Sequence, residues 1–454
     1  MAKQLPVKEF FKTDLPSYGS YDNVRKICNY IDGQKISMRK ILYTLMKKYN
    51  SKEKIKTETV ANMTAAFTNY LHGAANLCGV CETMAQNFVG SNNYPLLIGN
   101  SGGFGNRNNP ECAAPRYTQV KISDLVKKLL NEDDEAIIGR QYFEGDYIEP
   151  KFFVPVFPIV FLNGSSGMSI GFSHDIYPRN PIEIIEYIKK KINGTEHPRM
   201  QLLPWFKGHN GKVEFNKDLN KNESFGVIVK NNMTSYTVTE LPIGIEPSKY
   251  NEFLEKLCEN GTIQDFDNKC STKKDTILFN IKTSRDFTKK HSDERKLMEC
   301  LHLIKSLPET LTCIDENNCA RDFKSVQEIL DAYIDVRLKY YDLRKQYLLK
   351  SLEDSLKKLS SKYLFIKAIV DKTLVVSNKK KDEIVKQLEK MPKICKINGS
   401  YDYLLAMPIS KLTKEELEEL KKQIEDAKSE YKQIKETSIQ TMWTNDLHEL
   451  KKVL

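Results

Sequence analysis

Tyr117 stands beside Arg116 in the run Ala113-Ala114-Pro115-Arg116-Tyr117-Thr118. It follows the glycine-rich stretch Gly99-Asn100-Ser101-Gly102-Gly103-Phe104-Gly105-Asn106-Arg107. A phenolic oxygen can attack a phosphodiester and hold the broken end covalently. An unperturbed phenol ionises near pH 10, so roughly a thousandth is phenolate at neutral pH. A nucleophilic tyrosine therefore needs a neighbouring cation, base or metal. Arg116 offers a fixed cation whose planar fork suits phosphate oxygens. The glycines let backbone approach a strand closely. The chain has 22 tyrosines, so context rather than residue type singles out Tyr117.

Other patterns fare less well. Residues 99–103 fit the G-x-S-x-G form of a hydrolase nucleophile elbow at Ser101, which needs a strand before it, a helix after it, and later Asp and His partners. Asn106, Asn108, Asn109 and Pro110 follow instead, which speaks against a serine hydrolase. Gly164-Ser165-Ser166-Gly167 resembles a G-x-x-G nucleic-acid clamp, but it equally fits a tight turn after an apolar run. Cys78 and Cys81 form one C-x-x-C without the second ligand pair that zinc requires, and read as buried helix thiols. Asp265-Phe266-Asp267 and Asp133-Asp134-Glu135 read as solvated surface. His72, before Gly73, gains a phosphate-binding reading only beside the other motifs. No G-x-x-x-x-G-K-[ST] occurs, so there is no P-loop.

The elements that must position these residues are legible in outline. With 454 residues the chain has room for about three domains. It is 40% hydrophobic and 29% charged, with a net charge of +10 and a mean hydropathy of −0.50. A moderate positive charge permits a polyanion partner without proving one. Lys35, Arg39, Lys40, Lys47, Lys48, Arg107 and Arg116 cluster near the motifs. No apolar run spans a bilayer, and the start lacks the apolar segment of a signal peptide. Ten cysteines without a pairing pattern fit a reducing compartment.

Residues 23–48 have helical spacing. Residues 58–90 read as one or two helices broken near His72-Gly73. The apolar run at 152–162 is β-rich and turns at Asn163-Gly164. Residues 225–229 and 236–241 also read as strands, which makes the middle α+β. From Glu309 to Met391 there is no Gly or Pro. Ile329, Tyr333, Val336, Tyr340, Leu343 and Tyr347 recur in steps of four and three, followed by Leu349, Leu352, Leu356, Leu359, Tyr363 and Ile366. A second heptad runs Leu417, Leu420, Ile424, Ala427, Tyr431 and Ile434, with Thr413 and Glu416 as a capping box. Two such stripes about fifty residues apart predict an antiparallel coiled coil with a globular tip.

Taken together, the residues resemble the DNA breakage–reunion part of type IIA DNA topoisomerases, the eukaryotic and viral enzymes more than gyrase. Asp32-Gly33-Gln34-Lys35-Ile36-Ser37-Met38-Arg39-Lys40 looks like the family's basic D-G-x-K-x-x-x-R-K segment, and His72-Gly73 like its H-G pair. Ala85-Gln86-Asn87-Phe88-Val89-Gly90-Ser91-Asn92-Asn93, Gly103-Phe104-Gly105-Asn106-Arg107 and Arg116-Tyr117 follow in the family's order. Leu162-Asn163-Gly164, Gly167-Met168, Pro204-Trp205-Phe206-Lys207-Gly208, Thr239-Glu240-Leu241-Pro242, Tyr403-Leu404-Leu405 and Trp443-Thr444-Asn445-Asp446-Leu447 continue it. Leu71, Ala74 and Asn100 depart from the family pattern.

The resemblance implies roles. Tyr117 would be the nucleophile and Arg116 would stabilise the scissile phosphate. His72 would sit near that phosphate, and Lys35 and Arg39 would hold adjacent DNA backbone, with Arg107 as a further DNA-binding residue. Met168 would take the place of an isoleucine wedge that enters the base stack. The implied fold is α+β and multidomain. A winged-helix breakage domain would span 1–130, an α/β tower 131–308, and a coiled coil with a dimer gate 309–454. The family also needs an ATPase and a TOPRIM domain whose carboxylates hold magnesium. The expectation is therefore a cleavage subunit with no metal site of its own. Mg2+ and ATP would belong to a separate ATPase/TOPRIM partner, the chain would form a homodimer through the gate, and double-stranded DNA would be the substrate. The expected location is cytoplasmic, in a host cell if the source is a virus or phage, with no membrane contact. The alternative is a non-catalytic DNA-binding scaffold of the same fold.

Overall fold

Three helices, Ile36–Lys48, Thr57–Phe67 and Ala74–Ala85, pack around one small core in the computed structural model. The structure describes the chain apart from residues 1–5, 50–52, 196–199, 272–274, 377–378, 392 and 398. Ile41, Leu42 and Leu45 from the first helix, Val60 and Ala61 from the second, and Leu77, Cys81 and Met84 from the third are all buried. Steps of three and four put the first and third sets each on one face, and in the second helix Val60 and Ala61 share theirs with the buried Thr57 and Thr64. A three-stranded antiparallel sheet closes this group, with Gln119–Ile122 between Ile55–Lys56 and Leu97–Ser101. In the central strand Val120 and Ile122 point inward, as alternation requires. Three helices and a small sheet make a winged-helix group.

Two expectations change. Residues 23–48 do not form one helix: Asp14–Lys26 ends, residues 27–35 run extended and turned, and Ile36–Lys48 begins. The break is needed because Gly33, at φ +65°, lies against the backbone of Ile159 and Val160. A Cβ there would come within 2.3 Å of Val160 N. The apolar run at 152–162 is buried but is not a strand. It is irregular and ends in the short helix Val160–Asn163. Pro155 and Pro158 lack the N–H that a sheet ladder needs, so the segment is core without being sheet.

The chain divides into two compact units, one of Met1–Glu132, Ile138–Arg337 and Thr444–Leu454, the other of Asp133–Ile137 and Leu338–Trp443. The first also holds a four-stranded antiparallel sheet, ordered Val227–Asn232, Ser235–Glu240, Phe279–Lys282, Asp265–Asn268. The helix Pro247–Glu259 packs on it through Tyr250 and Leu254. Residues 225–229 therefore belong to two strands, Lys221–Phe225 and Val227–Asn232, parted at Gly226, where a Cβ would meet Glu240 O at 2.5 Å.

The 45-residue helix Val326–Val370 contributes to both units. In the second unit it runs antiparallel to Lys414–Glu436: Lys345 Nζ donates to Lys435 O at 3.0 Å and to Thr437 O at 2.7 Å, and Tyr431 Oη donates to Glu353 at 2.8 Å. A globular cluster joins Leu388 and Leu404, from the segment between the two helices, to Phe365 and Ile366 of the first helix and Leu420 of the second. The expected coiled coil with its tip is present, with two differences. Leu343 and Tyr347 of the heptad stripe are exposed, while Tyr341 and Arg344 are buried. Arg344 Nε donates to the buried Asp134 at 2.7 Å, so this position of the long helix is taken up by an ion pair to the segment 133–137. Thr413 caps its helix by accepting from Glu416 N at 3.2 Å, but the Glu416 carboxylate pairs with Lys411 instead of closing the box.

Candidate active site

Tyr117 closes a tight turn that feeds the central strand of the winged sheet. Its N–H donates to Ala114 O at 2.9 Å, with Pro115 at the second turn position, where its fixed φ is favoured. The next residue, Thr118, is fully buried and anchors the turn. Its hydroxyl bonds the Thr57 hydroxyl at 2.7 Å, and its carbonyl accepts from Thr57 N at 3.1 Å. Gly102, at φ +81°, passes so close that a Cβ would lie 2.8 Å from Tyr117 O. The backbone is thus fixed on two sides while the side chain stands 68% exposed. The Arg116 guanidinium lies over the Tyr117 ring, 5.4 Å from its centroid. Among the described residues no carboxylate pairs with Arg116, so its cation is available to a ligand beside the phenol.

The glycine-rich loop before the turn is a built object. Ala113 N donates to Gly103 O at 2.8 Å. A Cβ on Gly99 would strike the Phe104 ring at 2.4 Å. Asn106 Oδ1 accepts from Asn108 N and Asn109 N at 2.9 Å each, an Asx-type turn. Ser101 ends its strand and is exposed, and no helix follows it.

Arg107, expected on the DNA surface, is 7% exposed and lies inside the protein. It forms an ion pair with the buried Glu240, and Nη2 donates to Leu241 O at 2.9 Å. It ties the loop to the four-stranded sheet. Arg39 is likewise 4% exposed. Its Nε donates to Asp32 Oδ2 at 2.7 Å and its Nη2 to Asp32 Oδ1 at 3.1 Å. Asp32 also accepts from Phe153 N at 3.0 Å, which fastens the apolar run beneath the helices. Both guanidiniums are consumed by buried carboxylates, so the direct backbone contact expected of them is replaced by a framing position.

Lys35 is half-buried, and its Nζ donates to Ser166 O at 2.6 Å. Burial lowers its pKa. It supports the hairpin Ser165–Met168/Ser173–Ile176, where Gly167 leaves it room: a Cβ there would lie 3.0 Å from Nζ. Met168 ends the first strand of that hairpin and is 80% exposed, the posture of an apolar side chain awaiting a partner. His72 is hydrogen-bonded through Nε2 to Tyr21 Oη and packs edge-on against Tyr70 at 5.5 Å. Burial first and Arg25 second hold its pKa below the ordinary value.

The structure therefore brings Arg116 to Tyr117, and Lys35 to the Met168 hairpin. Among the described residues no hydrogen bond or ion pair joins Tyr117 to Lys35, His72 or Met168. Tyr21 carried no sequence signal, because its partner lies 51 residues away. Among the described residues no three His, Cys, Asp or Glu side chains converge as a metal site, and no helix is long and apolar enough to cross a membrane. Asp265 and Asp267 are exposed and pair with Lys282 and Lys269.

A winged-helix group that presents a tyrosine–arginine pair, in a chain that also holds a tower-like sheet and a long coiled coil, defines a multidomain α+β class. The DNA gyrase/topoisomerase IV family model for the A-type subunit matches residues 25–448, and the chain belongs to that family. It is 32% identical to the mitochondrial DNA topoisomerase 2 of Dictyostelium discoideum over 462 residues, covering 100% of this chain and 35% of the relative. It is 31% identical to DNA topoisomerase 2 of Invertebrate iridescent virus 6, covering 98% of this chain and 39% of the relative. The chain thus spans little more than a third of these relatives. The crystal structure of the Plasmodium falciparum topoisomerase II DNA-binding, cleavage and re-ligation domain superimposes with a TM-score of 0.86 at 32% identity. That match covers 98% of this chain and 64% of the other.

Proposed function

We propose that this chain is the DNA breakage–reunion part of an ATP-dependent type II topoisomerase, with Tyr117 as its nucleophile. The observation that carries this reading is the exposed phenol on a doubly anchored turn, beside an arginine with no carboxylate partner among the described residues. The Tyr117 phenol gives up its proton as its oxygen attacks a backbone phosphorus, the P–O3′ bond breaks, and the leaving 3′ oxygen takes up a proton, so none is gained or lost overall. The 5′ phosphate stays on the tyrosine. One phosphodiester replaces another, so the step conserves bond energy and reverses when the 3′-hydroxyl returns. Arg116 stabilises the charge that builds on the phosphate oxygens. Lys35 holds neighbouring backbone, His72 lies by the phosphate, and Met168 enters the base stack to bend the duplex. Arg39 and Arg107 serve the same surface from beneath, by fixing the segments that carry it.

On this reading residues 1–130 form the breakage domain, 131–308 the tower, and 309–454 the coiled coil and dimer gate. Two copies cut the two strands of duplex DNA. Type II topoisomerases use Mg2+ and ATP; on this reading both would be held by an ATPase/TOPRIM partner. ATP would drive the gates, not the cutting. The compartment proposed is the cytoplasm, that of the host if the source is viral.

The test is to incubate the chain, its partner, magnesium and a plasmid, then denature and look for protein-linked DNA breaks. Breaks with protein on the 5′ ends are expected. DNA binding without such breaks would leave the rival reading, a non-catalytic scaffold of this fold.

A further inference from the structure

Three consecutive residues of the helix Asp14–Lys26 reach two separate parts of the site. Tyr21 Oη is hydrogen-bonded to His72 Nε2. Asp22 Oδ2 accepts from the backbone N–H of Ile170 at 3.2 Å, and Asn23 Oδ1 accepts from Ser169 Oγ at 2.7 Å. Ser169 and Ile170 directly follow Met168 at the tip of its hairpin. The helix also lies against that tip at Gly19, where a Cβ would sit 3.9 Å from Ile170 Cγ2. Asp22 is buried, and its Oδ1 takes Lys26 at 3.1 Å and Arg25 at 3.4 Å. A buried carboxylate with partners on both oxygens has little freedom to turn, because losing any of them leaves charge unsatisfied.

We propose that Tyr21 is a positioning residue for His72, and that residues 21–23 couple the imidazole to the hairpin that carries Met168. This rests on the reading above, in which His72 lies by the phosphate and Met168 enters the base stack.

The groups around the ring define how this works. Tyr21 and Arg25 face His72 from the helix, Tyr70 from the turn before it, Lys40 from Ile36–Lys48, and Glu149 from Asp146–Pro150. Together they line a cavity of about 160 Å³. Lys40 and Glu149 pair at 2.9 Å and largely cancel. Burial opposes protonation of the ring first, and Arg25, although it also reaches Asp22 at 3.4 Å, opposes it second. A neutral imidazole carries one proton, and the partner of one nitrogen decides which nitrogen holds it. Tyr21 O–H donating to Nε2 puts that proton on Nδ1. Among the described residues Nδ1 has no hydrogen-bond partner, so it is the nitrogen left to donate to a phosphate. A duplex that forces Met168 into its stack loads Ser169 and Ile170. Their bonds to Asn23 and Asp22 pass the load to the helix that holds Tyr21.

The test uses the full chain with its magnesium-binding partner and a duplex labelled for energy transfer. Tyr21→Phe is expected to leave DNA affinity and bend angle unchanged. Single-turnover cleavage should fall roughly tenfold, the order set by one neutral hydrogen bond. Asn23→Ala should reduce bending and cleavage together. Tyr21→Phe combined with Met168→Ala should lose less than the product of the single losses. Histidine-selective NMR titration of the chain supplies an independent readout: without the hydroxyl donor the neutral ring is less favoured, so the His72 pKa should rise in Tyr21→Phe. A wild-type protein that forms the Tyr117 adduct while Tyr21→Phe changes neither rate nor His72 titration overturns this inference alone. Strictly multiplicative losses in the double variant overturn the coupling. A wild-type protein that forms no adduct overturns the functional reading as well.

Discussion

Arg107 and Arg116 stand nine positions apart in one loop and do opposite things. Arg107 is buried against Glu240 and the Leu241 carbonyl, so its charge is consumed by the protein. Arg116 is exposed, stacks on Tyr117, and keeps its charge for a ligand. Arg39, held by Asp32, and Lys35, whose Nζ donates to Ser166 O beneath the Met168 hairpin, both follow Arg107 in spending donors inside the protein. Basic residues in a motif therefore fall into two sorts. Some stay exposed with no carboxylate partner among the described residues, and others are spent on buried carboxylates or carbonyls that frame the surface. Only burial and partners tell them apart.

The comparison can be broken at several points. Tyr117→Phe removes the single reacting oxygen and should abolish the covalent adduct while DNA binding persists, since phosphate contacts dominate affinity. Filter binding and denaturing gels on the same preparation check both halves. Arg107→Leu leaves Glu240 buried without its cation and should destabilise the first unit by about 3–5 kcal/mol, read from urea unfolding. Arg116→Ala should leave that unfolding curve in place and slow single-turnover cleavage by roughly a hundredfold, the order found for one transition-state donor. An Arg116 variant that unfolds early, or an Arg107 variant as stable as the parent, would erase the distinction. Met168→Ala is the mildest: bend angle by energy transfer should drop, and cleavage should weaken more than binding. An unchanged bend angle would count against the wedge.

Local signals carried well from sequence to structure. The adjacency of Arg116 and Tyr117, the helices either side of His72-Gly73, and the long heptad helices were all legible, because each is decided by neighbours a few residues away. What was not legible depends on distant partners. Arg107 meets Glu240 and the Leu241 carbonyl, the latter 134 residues on. Tyr21 meets His72 across 51 residues. Nothing in spacing announces either. The run at 152–162 misled for a different reason. Its apolar residues are as buried as a central strand's, but Pro155 and Pro158 deny the ladder, and its buried backbone instead receives Gly33. Hydrophobicity predicted the burial and not the backbone. The exposure of Leu343 and Tyr347 teaches the same lesson on a helix, where the apolar stripe is left open at two positions while the neighbouring Arg344 is buried with Asp134.

The most direct test is to trap the cleavage reaction with denaturant, digest the protein, and find by mass spectrometry which peptide carries the nucleotide. The account predicts a phosphotyrosine-linked nucleotide on the peptide containing Arg116 and Tyr117, joined through the phenolic oxygen. A nucleotide on any other tyrosine, or on none while the DNA is still cut, would contradict it.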